Sequence, residues 1–175
     1  MDHYKRNHSK NFKQFYESCG IDPEFTPGLI KRWYEIYKEL DHAKNTKPIP
    51  NAIRTVREVG SRLSLENVGL LTGDSYQATQ DTLRNCDLDP KTHFGFVISD
   101  SFNTKREELS KIRVGREGQV FYIGDTIYDV EDARMAGVKS VIIANKYSLH
   151  HSERLKAAKP NHLFKSINEI LTLGD

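Results

Sequence analysis

Apolar residues follow two different rhythms along this chain. Up to residue 40 they recur at helical spacing. Phe12, Phe15, Tyr16 and Cys19 form one stripe, and Leu29, Trp33, Ile36, Tyr37 and Leu40 repeat it at i, i+4, i+7, i+8 and i+11. The pattern predicts two amphipathic helices, parted by the breaking sequences Gly20-Ile21-Asp22-Pro23 and Thr26-Pro27-Gly28. A stripe of this kind is more often the face by which helices pack than the lining of a pocket, and packing is the reading adopted. The polar stretch 41–50 ends in Lys47-Pro48-Ile49-Pro50, whose prolines disfavour helix before them. It sets a boundary between a helical segment, 1–46, and the rest, 47–175.

Beyond that boundary, helical and extended patterns alternate. Helices are predicted over 51–62, 75–85, 104–114, 130–136 and 166–171. Strands are predicted over 67–72, 94–98, 120–123 and 140–143, with a short extension at 161–164. A β-α-β rhythm of this kind implies an α/β fold with a parallel sheet covered by helices on both faces.

Composition narrows the function classes. The net charge is +2 and no sustained basic run occurs, which gives nucleic-acid binding no support. No apolar stretch reaches the ~20 residues of a membrane helix, and the N-terminus has no apolar signal core. Cys19 and Cys86 are too few for a disulfide framework and fit a reducing, cytoplasmic compartment. The adjacent His150 and His151 have no Cys or acidic partner at a zinc spacing and are assigned to a surface loop.

Candidate chemistry gathers at strand ends. In VFYIGDTIYDVEDARMAG, residues 120–137, a short β-branched and aromatic run stops at Gly124, and the carboxylates Asp125 and Asp129 follow at once. Ligands of parallel sheets bind beyond the carboxyl ends of the strands, and hard oxygen donors there suit Mg²⁺. The competing reading is a capping pair, with Asp125 or Thr126 starting the next helix. Thr72-Gly73-Asp74-Ser75 ends the apolar run 68–71. Thr72 could donate its hydroxyl to a phosphate oxygen and Gly73 could bring its amide close, although the same residues also make a good turn and helix cap. Lys105 opens a helix as a point charge, with Lys111 as its competitor. Arg134 is expected to pair with Glu131.

Gly124, Asp125 and Asp129 in a G-D-x-x-x-D pattern, preceded in order by Thr72 and Lys105, resemble the motifs of the haloacid dehalogenase-like phosphohydrolases from about Lys47 onward. The resemblance implies a Rossmann-like sheet and a Mg²⁺-dependent phosphatase of a small phosphorylated metabolite, similar to the phosphoglycolate phosphatases. Thr72, Gly73 and Lys105 would hold the phosphate, with Thr72 and Lys105 serving catalysis, and Asp125 and Asp129 would serve the metal. It also implies that 1–46 is the remnant of a helical cap.

Two departures stand out. Arg106 follows Lys105 where the family often has Pro. The family's opening strand ending in D-x-D, which supplies nucleophile and general acid, has no counterpart: the D-x-D of this sequence, Asp87-Leu88-Asp89, lies between a helix end and Pro90. The core, 47–175, is therefore expected to lack its first strand, to bind Mg²⁺ weakly and to be inactive. A late-assigned start and a non-catalytic phosphate-binding or regulatory protein of the same fold both remain open. The strands ending at Thr72 and Ile123 would flank the missing one. Their inner edges must then close on each other, recruit another segment or promote self-association.

Overall fold

The computed structural model describes residues 12–41, 45–99 and 104–173. Helices α1 (Phe12–Ser18) and α2 (Thr26–Glu39) are joined by a 3₁₀ turn, Pro23–Phe25, and pack against each other. The second break predicted between them is absent. Thr26-Pro27-Gly28 lies within the first turn of α2, where proline costs no hydrogen bond because the first amides of a helix have no partner inside it. The side chains of Phe12, Trp33 and Tyr37 lie outside the described residues, as do residues 1–11.

The α/β portion runs α3 (Ala52–Arg62), β1 (Gly69–Leu71), α4 (Tyr76–Asn85), α5 (Pro90–His93), β2 (Phe96–Ile98), α6 (Lys105–Arg113), β3 (Phe121–Gly124), α7 (Ile127–Met135), β4 (Lys139–Ile143), α8 (Ser152–Ala157), β5 (His162–Phe164) and a final 3₁₀ segment, Ile167–Thr172. All pairing is parallel. β1 pairs with β2, placing Leu70 opposite Val97, while β4 lies between β3 and β5, with Ile123 opposite Val141 and Ile142 opposite Leu163. Among the described residues, the second edges of β1 and β3 carry no ladder, and these two strands do not pair with each other.

Successive residues of β1 show that helices cover both faces. Leu70 joins Leu83, Cys86, Leu88 and Phe94, packed with Ile53 and Val56 of α3. Leu71 points the other way, to Leu109 of α6, Ala133 of α7 and Ala136 just after it, beside Val120 and Tyr122. A third cluster sets Ile142 of β4 against Val130 and the fully buried Leu155 of α8. The two sheet halves are therefore joined by side-chain packing. Arg116 adds to this, donating to the Asn67 side chain (2.8 Å) and the Glu66 carbonyl (3.1 Å). The final 3₁₀ segment packs on α3, where Arg62 donates to the Leu171 carbonyl at 2.8 Å.

α7 begins three residues earlier than predicted, because Thr126 caps it, and ends in a left-handed glycine. Gly137 has φ 70°, Val138 N donates to Ala133 O (3.0 Å) and Gly137 N to Arg134 O (3.2 Å), the paired bonds of a Schellman motif. Arg134 does not take up the predicted pairing with Glu131. Its guanidinium donates to the carbonyls of Ala158 (2.7 Å) and Lys159 (3.4 Å), groups that the end of α8 leaves without helical partners.

Candidate functional site

The turn after β3 and the start of α6 bring Asp125, Asp129 and Lys105 together, while Thr72 and Gly73 follow the end of β1. β3 ends at Gly124, and the chain turns through Asp125 and Thr126 into α7. Thr126 is the N-cap: its Oγ1 accepts from Asp129 N (3.1 Å) while Asp129 Oδ2 accepts from Thr126 N (3.0 Å), completing a capping box. Oδ2 also accepts from Thr126 Oγ1 (2.7 Å) and Asp125 N (3.2 Å). The other oxygen, Oδ1, accepts from Lys105 Nζ and Tyr122 OH, both at 3.0 Å. Asp129 is 3% exposed, so these bonds are what make its burial tolerable.

Charge follows from that geometry. Burial alone would raise the Asp129 carboxyl, but the Lys105 ammonium and the bonds from Thr126, Lys105 and Tyr122 outweigh it and hold Asp129 below the usual carboxylate range. Burial opposes the charged form of Lys105, yet Asp129 holds this lysine protonated well above its ordinary range. Burial and the neighbouring Asp129 charge raise the Tyr122 phenol, so it stays a neutral donor. The Lys105 ammonium also lies 5.7 Å from the centroid of the Tyr122 ring. Sequence reasoning missed Tyr122, although its place in β3, two residues before Gly124, puts it on the same face as the turn.

Asp125 stands apart from this network. Its Oδ2 accepts from the Leu149 amide at 2.9 Å, and no described residue donates to Oδ1. Burial is the main cause of a raised carboxyl pKa, partly offset by the Leu149 bond. A desolvated carboxylate with one unengaged oxygen gains from a divalent cation. Mg²⁺ takes one or two carboxylates and fills its octahedron with water and substrate oxygens, so this donor set fits it. No cluster of three or more His, Cys, Asp or Glu that could hold a metal occurs among the described residues. The site would thus supply few protein ligands.

Thr72 sits one residue beyond β1, its amide donating to the Ile98 carbonyl (3.0 Å) and its hydroxyl accepting from Asp74 N (3.2 Å). Ser75 is the cap of α4, accepting from Ala78 N at 3.2 Å. A Cβ at Gly73 would meet nothing within 4 Å, so the chain itself does not require glycine there. Lys111, the competitor of Lys105, pairs with Glu108 at 2.6 Å on an exposed face.

Gly124, by contrast, is required. A Cβ there would fall 2.5 Å from Asp129 Cγ and Oδ2, so the glycine of G-D-x-x-x-D makes room for the second aspartate to fold back over the turn. Gly124→Ala should displace a side chain held by five donors. The expected cost is about 1–3 kcal/mol in chemical denaturation, with the Lys105–Asp129 contact loosened. Unchanged stability would show that the turn accommodates a methyl group.

The pair of histidines is corrected by the structure. His150 is 1% exposed and His151 half-buried, because the loop carrying them folds under the start of α7.

A parallel sheet covered by helices, with this acid turn after β3 and a lysine from the preceding helix α6 bonded to it, is a Rossmann-like α/β core. The family described as "Haloacid dehalogenase-like hydrolase" matches residues 2–143, and the chain belongs to it. A curated relative from Caldanaerobacter subterraneus subsp. tengcongensis, "Putative pyrophosphatase PpaX", is 28% identical over 154 residues, covering 83% of this chain. The chain spans 66% of that relative's length. Among solved structures, a haloacid dehalogenase-like hydrolase from Streptococcus pneumoniae superposes with TM-score 0.74 at 17% identity, over 95% of this chain and 78% of that one. A protein titled "predicted phosphoglycolate phosphatase" from Haemophilus somnus superposes at 0.70 and 14% identity, over 99% and 80%. These likenesses establish the fold. No described helix is long and apolar enough to cross a membrane.

Proposed function

We propose that this chain is the core and partial helical cap of a Mg²⁺-dependent phosphatase of a small phosphorylated metabolite. Residues 1–46 belong to the cap and 47–175 to the core, in which no strand lies between β1 and β3 among the described residues. The observation that carries the reading is the division of labour in the acid turn. Asp129 holds Lys105 and the turn in place, and among the described residues Asp125 receives a bond on one oxygen only, from the Leu149 amide.

In this reading Asp125 is the direct Mg²⁺ ligand and Asp129 fixes the ligand geometry. Thr72, the Gly73 amide and Lys105 hold the phosphate. When bound, Mg²⁺ would neutralise charge on the phosphate oxygens. Lys105, kept protonated by Asp129, adds a fixed positive charge that needs no reorganisation as phosphoryl charge shifts. Thr72 and the Gly73 amide add neutral donors at the end of β1.

The same reading makes residues 1–175 alone a binder with no turnover, because no D-x-D at a strand end supplies nucleophile and general acid. Purified chain with Mg²⁺ should hydrolyse pyrophosphate, phosphoglycolate and p-nitrophenyl phosphate no faster than buffer. A rate that disappears in Asp125→Asn would overturn the inactive reading and make Asp74, beside Thr72, the first candidate nucleophile.

A further inference from the structure

The loop after β4 has no part in the assignments above, yet it touches the acid turn twice. Leu149 N donates to Asp125 Oδ2 at 2.9 Å, and Ile127 N donates to His150 Nδ1 at 3.4 Å. The two contacts hold either end of the segment from Asp125 to Ile127. The loop is itself locked: Ser148, 2% exposed, donates through Oγ to the Ile143 carbonyl (2.6 Å) and accepts from Asn145 N (2.8 Å). Tyr147 N closes onto Asn145 Oδ1 at 2.9 Å. The His150 ring is buried edge-on against Tyr128, with centroids 5.5 Å apart and planes at 70°.

We propose that His150 is a positioning residue for the cation site, seating a rigid loop whose Leu149 amide orients Asp125 so that Oδ1 faces the cation. This rests on the reading of Asp125 as the Mg²⁺ ligand. The first amides of α7 have no helical acceptors. The capping box engages Thr126 N and Asp129 N, and His150 takes Ile127 N. As an acceptor at Nδ1, the ring is the tautomer protonated at Nε2. An apolar residue in its place would fill the space but leave the part-buried Ile127 amide without this acceptor, and the turn and loop would separate. Leu149 would then be lost from Oδ2, and the carboxylate could rotate. Partners that orient a metal ligand in this way typically change affinity 10- to 100-fold when removed.

The test is a Mg²⁺ titration of the full chain followed by ¹H–¹⁵N NMR. In the wild type the Asp125 and Leu149 amides should shift together with one dissociation constant. His150→Leu and His150→Gln should weaken binding about tenfold or more and speed hydrogen exchange at Leu149. His150→Asn, whose Oδ1 falls where Nδ1 lies, should retain both affinity and protection. The Asn–Gln comparison stands even if the Leu variant does not fold. Equal affinity in the wild type, Gln and Asn variants overturns the inference while leaving the cation site intact. A wild type with no saturable shift at Asp125 removes the cation reading and the inference with it.

Discussion

Asp129→Asn is expected to lower the unfolding free energy by about 3 kcal/mol at neutral pH, and the melting temperature by roughly 6–12 °C. The carboxylate has donors on both oxygens: Lys105 and Tyr122 on Oδ1, and Thr126 and the Asp125 amide on Oδ2. An asparagine must turn its NH₂ toward one of these sets, so donor faces donor whichever way it is placed. The Lys105 side chain is 33% exposed and can partly turn to water, which keeps the loss at the lower end for a buried pair.

The pH dependence has a definite sign. Asp129 is lowered in the folded state, so its contribution is present above the ordinary carboxylate pKa of ~4 and fades as pH falls through its lower folded value. Lys105 is raised, so its contribution is present below ~10.4 and fades only as pH climbs through the folded value above that. Denaturant melts should therefore show the full gap between wild type and Asp129→Asn from about pH 5 to 10, narrowing in acid. A gap independent of pH would mean that Asp129 acts by shape alone.

Asp125→Asn should do the opposite. Burial raises the Asp125 carboxyl in the folded chain, so stability is lost as pH climbs from the ordinary carboxylate value of ~4 through that raised value. Asparagine keeps an oxygen for the Leu149 amide and carries no charge. The variant should match the wild type below about pH 4 and melt higher at pH 7, while losing saturable Mg²⁺ binding altogether. Gain of stability with loss of binding is the signature of a residue kept for function. A variant less stable at pH 7 would place Asp125 with Asp129 among the residues that hold the turn.

The parts legible in the sequence were those carried by periodicity and by turn residues. The five core strands, the helices α3, α4, α6 and α7 and the acid turn all fall where alternation, Gly124 and the apolar runs put them, with ends shifted by a few residues, whereas the short α5 falls where the sequence predicts only a turn. α7 starts ahead of the predicted Val130 because the capping alternative for this turn, with Thr126 opening the helix, is realised through Asp129. α8, SERLKA, buries only Leu155 and has too little period to be seen. The burial of His150 depends on a loop folding back from β4 to α7, a contact between residues 23 positions apart that leaves no local trace. The pairing of Tyr122 with Asp129 likewise appears only once β3 and α7 are packed.

Between β1 and β3 the described residues place no strand, and residues 12–41 are largely helical. The segment 1–11, where a pairing strand would contradict the expectation of a cap remnant, lies outside the described residues. Self-association through the unladdered edges of β1 and β3, one of three outcomes the sequence leaves open, would be detected by sedimentation over a concentration series.

The most direct test of the phosphate and cation site is ³¹P relaxation of inorganic phosphate in the presence of Mn²⁺ and the full chain, with Mn²⁺ standing in for Mg²⁺. Thr72, Lys105 and Asp125 acting as one site predict enhanced relaxation in the wild type, abolished by Asp125→Asn and strongly reduced by Lys105→Met and Thr72→Val. Enhancement that survives Asp125→Asn, or none in the wild type, would contradict it.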